Sequence, residues 1–88
     1  MSRWQREPSV LWRRSGSCVV ALPRGADECV LLDGVGAVIW DRLDAPATSE
    51  ELVQELATAF PDEPVARIHA DTGRFLDQLQ ASRIVTCV

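Results

Sequence analysis

From Ser9 to Asp33, apolar and β-branched stretches alternate with turn chemistry at short intervals. "SVLWRR" ends at Ser15-Gly16-Ser17, "CVVAL" at Pro23-Arg24-Gly25-Ala26-Asp27, and "ECVLL" at Asp33-Gly34. Runs of this length, broken by Gly, Pro, Ser and Asp, predict three short strands joined as an antiparallel meander. After Asp33 the apolar period lengthens from two to about 3.6 residues. Val35, Val38, Ile39 and Leu43 then share one helical face, with Trp40 beside it; Asp33 or Gly34 caps the start and Ala45-Pro46 stops it. Thr48-Ser49-Glu50-Glu51 has the form of a capping box and opens a second helix, whose apolar face is Leu52, Val53, Leu56, Ala57 and Phe60. Pro61 ends it. A third helix is expected from Asp62 or Glu63, with Pro64 in its first turn and Val65, Ile68, Thr72, Phe75, Leu76 and Leu79 as its buried stripe. Gly73 interrupts that helix at a cost of about 1 kcal/mol relative to Ala, so a close backbone approach is the compensation to look for. Ile84 to Val88 is a strand-like tail able to dock on the sheet or the helices. The fold class expected is therefore α+β, a three-stranded antiparallel β-meander followed by three α-helices. Residues 9–88 form the domain and residues 1–8 a flexible N-terminus.

At 88 residues the chain fits one small domain. No apolar run approaches the roughly 20 residues needed to cross a bilayer. "MSRWQREPSV" lacks the apolar core and cleavage site of a secretion signal, so a cytoplasmic protein without a membrane partner is expected. Cys18, Cys29 and Cys87 are odd in number and form no C-x-x-C pair, which argues against a disulfide framework or a zinc site. Their apolar neighbours Val19, Val30 and Val88 point to buried free thiols.

The net charge of −4 is unevenly placed. Up to Gly25, five Arg oppose Glu7; from Ala26 to Ala66, ten acids oppose Arg42; beyond, three Arg oppose two Asp. A chain acidic overall is repelled by a phosphate backbone, so nucleic acid is not an expected partner. All nine basic residues are Arg, whose planar fork suits carboxylate recognition.

Candidates for catalysis are few. His69 is the single histidine, and the sequence around it supplies no nucleophile, base or oxyanion donor. Asp41 and Asp44, and Glu50 and Glu51, read as a solvated helix face and as first-turn charge favoured by the helix dipole. Gly34-Val35-Gly36 lacks the third Gly and the parallel βαβ unit of a dinucleotide loop, which leaves it the task of turning strand into helix. No catalytic residue, metal site or cofactor is expected.

"VLLDGVGAVIWDRLDAPATSEELVQELATAF", followed by "ADTGRFLDQLQASRIV", resembles the PqqD-like family, also called RiPP recognition elements. The shared features are a third strand ending in Leu-Asp, a small-residue step into "AVIW", a breaker before "TSEELVQELA", and a last helix with "FLDQL" and a short apolar tail. They run from Cys18 to Val85. The resemblance implies a winged-helix-like fold and a non-catalytic role: binding the leader region of a ribosomally made precursor peptide as an added strand on the third strand, in a groove closed by the last helix. Partners implied are that precursor and a modifying enzyme such as a radical SAM protein, a cyclodehydratase or a leader peptidase. The aromatic and Asn pattern of lasso-peptide members is absent from this third strand.

The residues add their own argument, because an open strand edge offers directional backbone hydrogen bonds while alternate side chains select for sequence. The expected peptide-binding residues are Glu28, Cys29, Val30, Leu31 and Leu32 on the strand and Arg67, Ile68, Asp71, Arg74, Phe75 and Gln78 on the last helix. The successive apolar positions of the strand suit either a groove wall or a strand covered on both faces by the protein's own helices and tail. On the helix, Ile68 and Phe75, with Leu79, supply an apolar floor; Arg67, Asp71 and Arg74 either meet the guest at its rim or pair among themselves as a solvated face. Two other readings stand beside leader capture: a winged-helix DNA-binding protein, opposed by the acids Glu50, Glu51 and Glu55 on the second helix, and a structural or dimerisation subunit, since an edge that accepts a peptide also accepts a second copy to give a homodimer.

Overall fold

The computed structural model describes residues 2–88. In chain order it contains β1 (Trp4–Arg6), β2 (Leu11–Ser15), β3 (Cys18–Leu22), β4 (Val30–Leu32), α1 (Gly34–Arg42), α2 (Ser49–Ala59), α3 (Val65–Ala81) and β5 (Val85–Cys87). The expected meander is present as the antiparallel sheet β2-β3-β4, and the three helices follow it, an α+β fold. β2 and β3 are joined by Gly16-Ser17 alone, with Ser15 opposite Cys18. Gly16 takes φ 62°, the left-handed value that a two-residue hairpin needs if its turn is to match the twist of the strands.

Strand alternation sorts the sheet into two faces. Val19, Ala21 and Leu32 point inward and are buried, with Val30 half-buried beside them. Against this face pack the fully buried Ile39 and Trp40 of α1, then Leu52 and Leu56 of α2, Leu76 of α3, and Ile84 and Val85. The outer face carries Leu11 opposite Leu22, and Arg13 opposite Val20, which is itself opposite Leu31. Leu11 and Leu31 are 69% and 60% exposed, so that face is apolar without being covered.

The capping box of α2 forms as the sequence predicts. Glu51 N–H donates to Thr48 Oγ1 at 3.2 Å and Thr48 N–H to Glu51 Oε1 at 3.0 Å. These bonds from Thr48 hold the Glu51 carboxyl below its ordinary pKa, with Arg42 and Arg3 adding less. Thr72, buried in α3, is satisfied by donating to the Ile68 carbonyl at 2.7 Å.

Several expectations need correction. Residues 1–8 are not wholly outside the domain: Trp4–Arg6 pairs antiparallel with Val85–Cys87, and Trp4 also exchanges backbone hydrogen bonds with Ala47 at 2.7 and 3.0 Å. Met1 lies outside the described residues. A three-residue strand carries too few side chains for alternation to register, which is why "WQR" gives no strand signal. Its anchor is Arg6, whose guanidinium donates to the Trp40 carbonyl at 2.6 and 3.0 Å and lies 4.6 Å from the Trp40 ring centre and 5.0 Å from that of Trp12. Burial lowers the Arg6 pKa, with Asp44 and Asp41 opposing. α3 starts at Val65, so Pro64 is its N-cap and not a first-turn residue, and Val65 is 59% exposed. Gly73 has open space around it, and no close backbone approach offsets its cost. The thiols are free yet not buried: Cys18 is half-buried, and Cys29 and Cys87 are exposed.

Candidate functional site

Among the described residues β4 has one strand neighbour, β3, and its other edge meets no strand. The tail that was a candidate to cover it is held elsewhere: β5 pairs with β1 in a separate ribbon. Arg3 and Val88 extend that pairing with reciprocal bonds of 3.0 and 2.7 Å. The backbone groups along the outer side of Val30–Leu32 are thus left for another partner.

Beside this edge runs a groove of about 450 Å³. β4 supplies one wall through Val30, Leu31 and Leu32; the second half of α3 supplies the other through Phe75, Gln78 and Leu79, continued by its C-cap Ser82. Helical spacing brings Phe75, Gln78, Leu79 and Ser82 to one side of α3, at i, i+3, i+4 and i+7. Phe75 is half-buried, so part of its ring is committed to the core and part faces the groove. Asp33 and Gly36 close the floor where β4 turns into α1.

Magnitudes show what each part contributes. A three-residue edge offers about two to four backbone hydrogen bonds to a guest, each worth a net 0.5–1.5 kcal/mol or so. Association costs roughly 4 kcal/mol or more in lost freedom of motion. Backbone pairing alone, about 1–6 kcal/mol, does little more than offset that cost, and further affinity at this edge would come from apolar burial against Phe75, at about 25 cal/mol for each Å² removed from water.

Of the residues expected from sequence, Val30, Leu31, Leu32, Phe75 and Gln78 meet in this groove. Glu28 and Cys29 precede the strand in an exposed loop, because β4 begins at Val30. Leu31 is exposed, so the strand is not covered on both faces by the protein's own elements. Arg67, Ile68 and Asp71 line a second, smaller hollow of about 210 Å³ with Gly34, Val35, Leu56, Phe60 and Glu63. Arg67 lies 3.9 Å from both Glu63 and Asp71, and Arg74 donates to Asp71 at 2.9 Å, so the charges on this face of α3 pair among themselves. Arg74 also lies over the Phe75 ring at 5.9 Å, at the groove's margin. Leu79 sits in the groove as the apolar floor requires, while Asp33, Gly36, Ala81 and Ser82 complete the lining without having been singled out. The i+7 step from Phe75 points to Ser82 as the i+4 step does to Leu79; nothing local to Asp33 or Gly36 marks them.

His69 is exposed on α3. Among the described residues there is no cluster of metal-ligating side chains, and no helix is long and apolar enough to cross a membrane.

A model of the family described as coenzyme PQQ synthesis protein D (PqqD) matches residues 18–85. No curated protein and no solved structure gives a match.

Proposed function

The chain belongs to the PqqD family, and from that membership we propose that it captures the leader region of a ribosomally synthesised precursor peptide by strand addition to β4 and presents it to a modifying enzyme or leader peptidase. The family is one of non-catalytic accessory proteins that partner with a precursor peptide and a modifying enzyme. One observation carries the reading for this chain: the outer edge of β4 is unpaired and lies against the apolar side of α3, while the tail is engaged with β1. An extended guest pairs its backbone with Val30–Leu32 and turns alternate side chains toward Phe75 and Leu79. Its other side chains emerge on the outer face beside Leu31, where a second protein can read them.

Duplex DNA is disfavoured as a partner by Glu50, Glu51 and Glu55, all exposed on α2. The test is amide hydrogen exchange with and without the leader of a short precursor peptide encoded in the same gene neighbourhood. Protection is expected at residues 30–32 and along the second half of α3, with β2 unchanged. Protection at β2 with β4 still exchanging freely would reject strand addition at this edge.

A further inference from the structure

α3 ends in a backbone conformation that its own sequence does not favour. Ile84 N–H donates to the Leu79 carbonyl at 2.9 Å and Arg83 N–H to the Gln80 carbonyl at 3.0 Å, a Schellman closure with Arg83 at the left-handed position. Arg83 has φ 61°, a value that glycine adopts freely and an L side chain only with strain. A glycine would close this helix better, so the side chain at this position calls for a use outside the closure.

Arg83 lines a hollow of about 360 Å³ with Glu7, Ser9, Arg24 and Gly25. Arg24 and Arg83, like Arg3, Arg6 and Arg13, form no ion pair within 4 Å among the described residues, while Arg14, Arg42, Arg67 and Arg74 do. The residues lining the hollow thus carry two positive charges and one negative, in a chain that is acidic overall. The hollow adjoins the groove at one point: Ser82 lines the groove and the next residue, Arg83, lines the hollow. A guest strand that leaves the groove at its Ser82 end meets Arg83, with Arg24 in the same hollow.

We infer that this hollow takes the carboxylate of an acidic side chain in the guest, placed just beyond the residues that pair with β4. The inference rests on the strand-addition reading and adds to it a required chemistry and a required position. Glu7 confines the preference to a single acid, because a second carboxylate would meet it. Asp27 and Glu28, in the same loop as Arg24 and outside the hollow, repel acids placed nearer to them.

The experiment uses the whole chain and a displayed library of random peptides as the probe. Selected peptides are expected to combine alternating apolar residues with one Asp or Glu at a fixed distance from them. Their affinity is then measured against the wild type, Arg83→Gly and Phe75→Ala, each also with the peptide's acid changed to its amide. Arg83→Gly is expected to raise the thermal midpoint by relieving the left-handed strain, yet weaken the acidic peptide about fivefold at low salt. That gap closes for the amide peptide and at high salt. Equal affinity of wild type and Arg83→Gly for the acidic peptide overturns the acid site and leaves the groove reading standing. Peptides whose binding is indifferent to Phe75→Ala, or a library that yields no binder, overturn the groove reading and this inference with it.

Discussion

The sheet β2-β3-β4 has two free edges, and they are not equivalent. The β2 edge is the longer, five residues against three, and every residue of Leu11–Ser15 is exposed. By backbone count alone it offers the guest more hydrogen bonds. The helix it touches, α1, is already committed to it through Trp12 against Trp40 and Arg14 paired with Asp41, the hollow over this strand is lined by β2, β3 and Cys29 without a helical wall, and Arg13 adds a charge where a second β2 strand would pair. The β4 edge is short, yet α3 stands beside it and supplies apolar surface to one side of any strand laid there. The family match at residues 18–85 also contains β4 and α3 and leaves β2 out. On the strand-addition reading, an unpaired edge becomes a binding site where a second element sorts the guest's side chains, and is otherwise an exposure that charge must guard.

The largest effect expected concerns that wall. Phe75→Ala should weaken leader binding by about 2 kcal/mol, roughly 30-fold, while Leu11→Ala on the other edge should change it less than about twofold. Calorimetric titration of both variants decides; equal losses would make the two edges equivalent. Arg6→Ala removes the tie between the β1–β5 ribbon and Trp40, along with the cation held against Trp12 of β2. It should cost about 2 kcal/mol, lowering the thermal midpoint by roughly 10 °C. Gly73→Ala stiffens α3 at a position with open space and should stabilise the fold by about 0.5–1 kcal/mol in a denaturant titration, with leader affinity within about twofold. The smallest effect lies remote from both edges. The Glu51 carboxyl has a lowered pKa in the fold, so its contribution is present above the unfolded value and lost as pH falls through the folded one. Thermal midpoints measured from about pH 5 to pH 3 should fall less steeply in Glu51→Gln than in the wild type.

Much of this was legible in the sequence where many side chains repeat a signal. The meander, the three helical faces and the Thr48–Glu51 box each rest on a repeated spacing or on complementary groups, and each is present in the structure. β1 was not legible, since its stability comes from β5, from Ala47 and from Arg6 reaching Trp40, all distant in sequence. The site divides the same way. Val30 to Leu32, Phe75 and Gln78 follow from the family resemblance, which implies the third strand and the last helix, together with the strand and helix periods, while Ile68, Arg67 and Asp71 fall in another hollow with Val35 and Phe60, residues distant in sequence. Apolar neighbours in sequence do not fix the exposure of a thiol: Cys18 falls opposite Ser15 on the uncovered face of the sheet, and Cys29 lies in the loop before β4.

The reciprocal bonds between Arg3 and Val88 bring the two ends of the described chain side by side. Polypeptide continued from either end would depart from one spot, and neither residue lines the groove. An enzyme tethered by a linker at the front or at the back would consequently hover over the same region of this domain, and a circular permutant joined across those ends should keep the groove intact.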